Sequence, residues 1–325
     1  MVQHIKNDTG ISLAMSVWLA YDEYDNGADV APEGELISAT TLLKPTRQFV
    51  LSNQLPENLG VPDITDRIAS RLGQAIHASV EDAWRSHYED AMTNLGMPKK
   101  LIDRIRINPE TVEPETLPVY LEQRFFRSIE GVVISGQFDQ IIDGELNDVK
   151  TTSVFGYLNG TNTENYRNQM SIYRWINPEK VTSNIGRIQH VFTDWQRMMT
   201  FQNPHYPKHR VTETEIELMS LAETERFIKA KLAEIRANVS LNQDQMIRCT
   251  DKELWKSEPQ YKYYAKPENA DKGGRATKNF SSKQDALIHL TNAGKGKIVD
   301  KPGEVKACKY CPAFEVCTQK DEYFQ

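Results

Sequence analysis

Ser135-Gly-Gln-Phe-Asp139-Gln-Ile-Ile-Asp143-Gly-Glu-Leu-Asn-Asp148-Val-Lys150-Thr-Thr152 is the stretch whose reading decides the fold. Two β-like runs flank Asp143-Gly144, and Asp-Gly in that setting predicts a two-residue type I′ turn. With those residues in the turn, Ile142 pairs with Glu145. Counting back along both strands, Asp139 then faces Asp148, with Cβ atoms roughly 4.5–5.5 Å apart. Like charges directly opposite each other destabilise a ladder. A divalent cation between them removes the repulsion, taking oxygen ligands at about 2.0–2.1 Å if it is Mg²⁺. Lys150, two residues past Asp148, shares its face, so its ammonium would stand beside such a cation. Phe138 and Val149 point the other way, toward a core. The plain alternative is an acidic hairpin face bathed in water.

Around this hairpin the periodicity alternates between helix and strand. A short amphipathic helix is expected over 11–24 and a Gly/Asp/Pro/Glu-rich loop over 26–35. After Asp63, apolar residues recur every four positions at Ile68, Leu72, Ile76, Val80 and Trp84, which predicts a long helix with one buried face. Residues 107–118 carry three prolines and read as a loop. Strands are expected over 119–126, 132–142, 146–152 and 186–194, with helices over 164–176 and 220–239. The second of these helices opens with Ser220-Leu-Ala-Glu223, a capping box. A lysine-rich hairpin over 261–265 and 275–280 turns at Gly273-Gly274, and a helix follows from Ser281 or Ser282. This order predicts an α/β core with a mixed central sheet.

Three further side chains fall on predicted helical faces. His77 follows Gly73 by one turn, and Glu81 lies one turn later on the same side. Gly73 leaves room for a close backbone or substrate approach, while His77 suits a metal or a purely structural role. Gln169 and Tyr173 share a face of the later helix and can hydrogen-bond a phosphate or base edge, with a core aromatic as the other reading of Tyr173.

The cysteines are Cys249, Cys308, Cys311 and Cys317. The last three form C-x2-C-x5-C, and with Cys249 they make one four-thiolate set with none left over. Zinc and a [4Fe–4S] cluster both accept such a set, and free buried thiols are the bland alternative. Structural zinc sites more often show two C-x2-C pairs, and a single pair tilts the reading toward iron–sulfur.

Of 325 residues, 39% are apolar and 26% charged, with a net charge of -6, so a uniformly basic nucleic-acid coat is excluded and only a local basic groove is open. The longest apolar stretch, 11–21, is broken by serines and too short to span a bilayer. No secretory n-region and h-region opens the sequence, so a soluble, cytoplasmic protein without a membrane partner is expected.

In chain order, Gly73-x3-His77, Gly136-x2-Asp139, Asp148-x-Lys150 and Gln169-x3-Tyr173 resemble the motifs of the PD-(D/E)XK nuclease superfamily, specifically its RecB-like branch. Cys308, Cys311 and Cys317 resemble the iron–sulfur cysteines of the AddB and CRISPR-adaptation nucleases in that branch. In many of those members the first cysteine precedes the nuclease motifs, whereas here Cys249 follows them, which keeps zinc open. The chain as a whole looks like a phage-encoded exonuclease of this group.

The resemblance implies a restriction-endonuclease-like α/β core over 63–240. A helical segment, 1–62, precedes it, and a metal-cluster region with the lysine-rich hairpin, 241–325, follows. It implies that His77, Asp139, Asp148 and the Val149 carbonyl bind Mg²⁺ or Mn²⁺, with Glu81 and Glu122 as outer candidates. Lys150 would orient or deprotonate water and stabilise phosphate charge, and Gln169 and Tyr173 would position a strand. The implied partner is linear or single-stranded DNA or its ends. A single-strand annealing or recombination protein, in the host cytoplasm if the gene is a phage's, would be a further one. Basic candidates for DNA contact are Lys99, Lys100, Arg104 and Arg106; Lys208, His209 and Arg210; and the lysines and Arg275 of 256–278, interleaved with Trp255, Tyr261, Tyr263 and Tyr264. A non-catalytic DNA-end-binding or scaffold subunit and a site-specific endonuclease are the competing functions.

Overall fold

The computed structural model describes residues 5–21, 27–56, 59, 61 and 63–324. The chain forms two compact units, Met1–Lys44 with Val61–Ala233, and Pro45–Gly60 with Glu234–Gln325. Its helices of eight or more described residues are α1 (Leu13–Ala20), α2 (Thr46–Asn53), α3 (Ile68–Ser86), α4 (Thr163–Ile176), α5 (Leu221–Asn238) and α6 (Lys283–Ala293). The predicted end of the first helix, 22–24, lies outside the described residues. No described helix is long and apolar enough to cross a membrane.

The first unit is mixed α/β. Its sheet runs β2 (Ile105–Ile107), β3 (Leu117–Ile129), β4 (Val132–Ile142), β5 (Glu145–Thr152), β6 (Ile185–Phe192) and β7 (Val211–Glu217), with β1 (Glu35–Ser38) added on β4. Pairing is parallel for β2–β3, β1–β4 and β5–β6 and antiparallel for the rest. Both tight hairpins close on two residues in the left-handed region. Glu130 and Gly131 have φ of 50° and 79°, and Asp143 and Gly144 have φ of 48° and 81°, the backbone a type I′ turn demands.

The register past the second turn differs from expectation. Ile142–Glu145, Ile141–Leu146 and Gln140–Asn147 pair as predicted, but the ladder stops there, one pair short of Asp139 and Asp148. The reason is topological. On the side of β4 that β5 leaves, residues 132–135 pair with β1, while β5 turns to run beside β6 from Leu146 to Thr152. Residues 136–139 of β4 are left without a ladder partner on that side, and this notch is where the chemistry gathers.

The long helix also departs from expectation. Ile68 and Leu72 of α3 are exposed, whereas Trp84 packs, partly buried, against the Ile105, Val119 and Leu121 cluster. A four-residue spacing overruns the 3.6-residue turn by about 40° per step, so the apolar stripe winds around α3 and only its later part meets the sheet. On α4, Met170, Ile172, Trp175 and Ile176 are buried. Ser220 and Glu223 cap α5 reciprocally: the Ser220 N–H donates to Glu223 Oε2 (2.9 Å) and the Glu223 N–H to Ser220 Oγ (3.3 Å).

The second unit holds α2, a three-stranded antiparallel sheet, α6 and the cysteine-bearing tail. In that sheet β8 (Gln260–Tyr264) lies between β9 (Lys278–Phe280) and β10 (Lys297–Lys301). Ser282 caps α6 by accepting from the Asp285 N–H.

Candidate functional site

The strand parting leaves the Val149 N–H without a ladder partner on β4, and the Asp139 carboxylate takes it, accepting at 2.8 Å through Oδ2. The same oxygen lies 3.2 Å from His77 Nδ1, brought by α3. His77 Nε2 lies 2.9 Å from the Val149 carbonyl, so the ring is held at both nitrogens. A third group completes the cluster. On β3, Leu121 pairs with Gln140 and Gln123 with Phe138, which sets Glu122 opposite Asp139. Glu122 has φ 48°, a left-handed conformation that costs a non-glycine residue roughly 1–3 kcal/mol and that collects at functional sites. Its Oε1 is 3.9 Å from His77 Nδ1. Ligand atoms of His77, Glu122 and Asp139 all lie within 4.8 Å of one another, the one such described group able to hold a metal ion. The acidic residue facing Asp139 is therefore Glu122 rather than Asp148.

Burial opposes charge on His77, but hydrogen bonding to Asp139 and Glu122 overrides it and holds the imidazole up at about 10. In the metal-free protein the ring is thus an imidazolium that neutralises two carboxylates, the task a cation would take over. Two carboxylate oxygens and an imidazole suit a hard or borderline divalent ion.

Asp148 and Lys150 sit beside this group. Lys150 Nζ is 2.6 Å from Asp148 Oδ2. Burial pushes Asp148 up to about 6 against the pull of Lys150. Burial also opposes the charge on Lys150, but Asp148 and Asp139 hold the ammonium above the ordinary lysine range. Tyr173 is buried, its phenol pushed up by that burial, and Gln169 Nε2 donates to its hydroxyl at 2.6 Å. Gly136 is dictated by this ring, because a Cβ there would lie 2.7 Å from Tyr173 Cδ1. At Gly73 a Cβ would meet nothing closer than Thr151 Oγ1 at 3.5 Å, so the fold itself does not demand the glycine. Glu81 is turned to Arg85, accepting at 2.6 Å from Nε.

His77, Glu122, Asp139, Lys150 and Tyr173 line one open cleft of about 880 Å³, together with Gly73, Gly136, Arg71 and Arg124. Apart from Lys150, none of the basic residues offered by the sequence for DNA contact lines it; Arg71 and Arg124 are the further cations there. Arg71 is buried and fixed by the Trp18 carbonyl (2.9 Å) and Gln74 (2.6 Å), and Arg124 donates to Gln137 at 2.7 Å. Neither residue stands out in a sequence whose positive charges are scattered; only the β3 and α3 frames converge them.

In the second unit, Cys249, Cys308, Cys311 and Cys317 line one small cavity with Arg47 of α2. Arg47 Nε donates to Cys317 Sγ at 3.3 Å. Burial pushes the Cys249 thiol up to about 12 and raises Cys308. No three of these sulfurs come within 4.8 Å of one another.

No protein-family model and no curated protein matches the chain. Five solved chains match in structure. One is the crystal structure of SSO0001, with TM-score 0.41 and 16% identity over 69% of this chain and 87% of that one. Another is a phage-related exonuclease from Haemophilus somnus 129PT, with TM-score 0.32 and 10% identity over 63% of this chain and 93% of that one. Likeness at this level transfers neither a site nor an activity.

Proposed function

We propose that the first unit is a metal-dependent nuclease that hydrolyses phosphodiester bonds of linear or single-stranded DNA as an exonuclease. The observation that carries this reading is the convergence of His77, Glu122 and Asp139 beside the Asp148–Lys150 pair, in one cleft with two arginines. The order of motifs in the sequence supplies the substrate class.

His77, Glu122 and Asp139 would hold Mg²⁺ or Mn²⁺ with Asp148 beside them, whereas the Val149 carbonyl is turned to His77 Nε2, away from the ion, and is a positioning group rather than the ligand the resemblance implies. Such an ion, when bound, lowers the pKa of a water and neutralises charge on a phosphate. The Val149 carbonyl accepts from His77 Nε2, which leaves Nδ1 aimed at the carboxylates, the outer hydrogen bond that fixes a ligating histidine. Asp148 and Asp139 favour the charged form of Lys150, whose ammonium would meet the charge that develops on the phosphate, with Asp148 fixing its position. Arg71 and Arg124 suit the phosphodiester backbone of the bound strand. Incubation of end-labelled linear DNA and a closed circle with Mg²⁺ or Mn²⁺ tests this. Linear DNA is degraded, the circle survives, and Lys150→Ala lowers the rate by about 100-fold or more. Equal degradation by wild type and variant would sink the assignment, and a nicked circle would make it an endonuclease.

We further propose that the four cysteines hold a [4Fe–4S] cluster. The four sulfurs line one small cavity, and a C-x2-C-x5-C run with Cys249, rather than two C-x2-C pairs, favours the cluster over zinc. The raised Cys249 thiol and the Arg47 donor fit a site where bound metal supplies the positive charge that makes thiolates. Aerobically purified protein should be brown and contain about four irons per chain; a colourless protein with one zinc would reverse the choice.

A further inference from the structure

The first unit contains a second cavity, of about 570 Å³, that the cation site does not use. Tyr157, Tyr166, His190 and His205 supply rings to its lining, and Thr152 and Thr214 are among its polar edges; no lysine, arginine, aspartate or glutamate lines it. The His190 ring meets Tyr157 edge-on with centroids 4.9 Å apart and lies 6.1 Å from Tyr166. His190 is 5% exposed, and its buried Nδ1 has no hydrogen-bond partner. A buried polar atom left unsatisfied costs about 1–3 kcal/mol and calls for an explanation. Burial also depresses the His190 imidazole below its ordinary value, so the ring is neutral and offers one donor and one acceptor.

Position adds to composition. His190 on β6 is the register partner of Lys150 on β5, and Thr152 follows Lys150 by two residues, about 6.6 Å along the same face. A ligand here sits next to the ammonium that faces the cleft.

We propose that this cavity is a nucleobase site, taking the base of a nucleotide adjacent to the phosphate held at the cation cleft. An aromatic-walled pocket with hydroxyl and amide edges and no lysine, arginine or carboxylate matches a flat heterocycle that stacks and hydrogen-bonds through its rim. Its lining offers a phosphate no lysine or arginine. The proposal rests on the nuclease reading for its place in the reaction, but the pocket's preference stands alone.

The test therefore uses free ligands and no catalysis. Saturation-transfer NMR of the full chain with each deoxynucleoside, and phosphorus NMR with inorganic phosphate as the charged control, reads the pocket directly. At least one nucleoside binds with millimolar affinity, phosphate at equal concentration does not compete, and Thr214→Trp, which fills the cavity, abolishes the signal. His190→Phe, which keeps the ring and removes both nitrogens, weakens binding at least fivefold and carries the test if Thr214→Trp fails to fold. No nucleoside signal in the wild type, or a signal indifferent to both variants, overturns the base site and leaves the cleavage assay untouched. Nucleoside binding in a protein that cleaves no DNA supports the pocket and removes only its placement beside a scissile phosphate.

Discussion

His77 carries a sign that can be tested. Its imidazole is held near 10, above the ordinary value of about 6.5, by Asp139 and Glu122. In the metal-free protein that shift stabilises the fold fully below about pH 6.5, and the gain is lost as pH rises through 10. Metal binding runs the opposite way, because a cation at Nδ1 must expel the proton. Mn²⁺ affinity measured by calorimetry should thus rise about tenfold per pH unit between pH 6.5 and 8.5, with close to one proton released per ion. A flat profile would remove His77 from the ligand set. The residue scale is also where the sequence was most informative and most misleading. The Asp143-Gly144 turn was legible because both left-handed positions have a chemical signature. The partner of Asp139 was not, since counting from the turn assumes an unbroken ladder, and the ladder ends at Gln140–Asn147, short of the segment of β4 that β1 takes. Glu122 lies 17 residues before Asp139 in sequence, on a strand whose local pattern gives no hint of its left-handed backbone.

Among the elements, strong periods and turn chemistry read through: β4, β5, α4 and α5 were legible within a few residues, as was the hairpin of β8 and β9. Short or polar pieces did not. β1 has four residues, and β7, Val-Thr-Glu-Thr-Glu-Ile-Glu, alternates but hides its face behind threonine and glutamate at the end of the sheet path. The two type I′ turns give a matched comparison. A Cβ at Gly131 would meet nothing within 4 Å, whereas one at Gly144 would fall 2.1 Å from Thr182 Oγ1. Gly131→Ala should cost only the left-handed backbone, about 1 kcal/mol, and Gly144→Ala that plus displacement of Thr182, about 2–3 kcal/mol in all. Thermal or urea unfolding of both variants checks the order; equal losses would show that Thr182 yields freely.

For the molecule as a whole, Arg47 is one of the residues that join the two segments of the second unit, with Thr46, which donates to Glu234, and Gln54, which donates to the Val239 carbonyl. Arg47 is buried, and besides Cys317 it donates to the Gln243 carbonyl (2.9 Å), Gln243 Oε1 (3.1 Å) and Thr318 Oγ1 (3.1 Å). Arg47→Ala strands those acceptors and should lower stability by about 3 kcal/mol, read as an earlier urea midpoint. Arg47→Lys should rescue little, because a point charge cannot reproduce the planar fork. Full stability in Arg47→Lys would show the network to be ornamental. None of this was legible from the cysteine spacing, which announced a thiolate set but not that the guanidinium beside Cys317 arrives from 270 residues upstream.

That two-part construction of the second unit, 45–60 with 234–325, constrains inheritance. A genetic exchange at a single breakpoint after residue 233 would deliver the thiols to a recipient without the guanidinium that belongs among them. A transferable cassette needs two breakpoints, and lineages that shuffle such genes should either move both segments together or leave both behind.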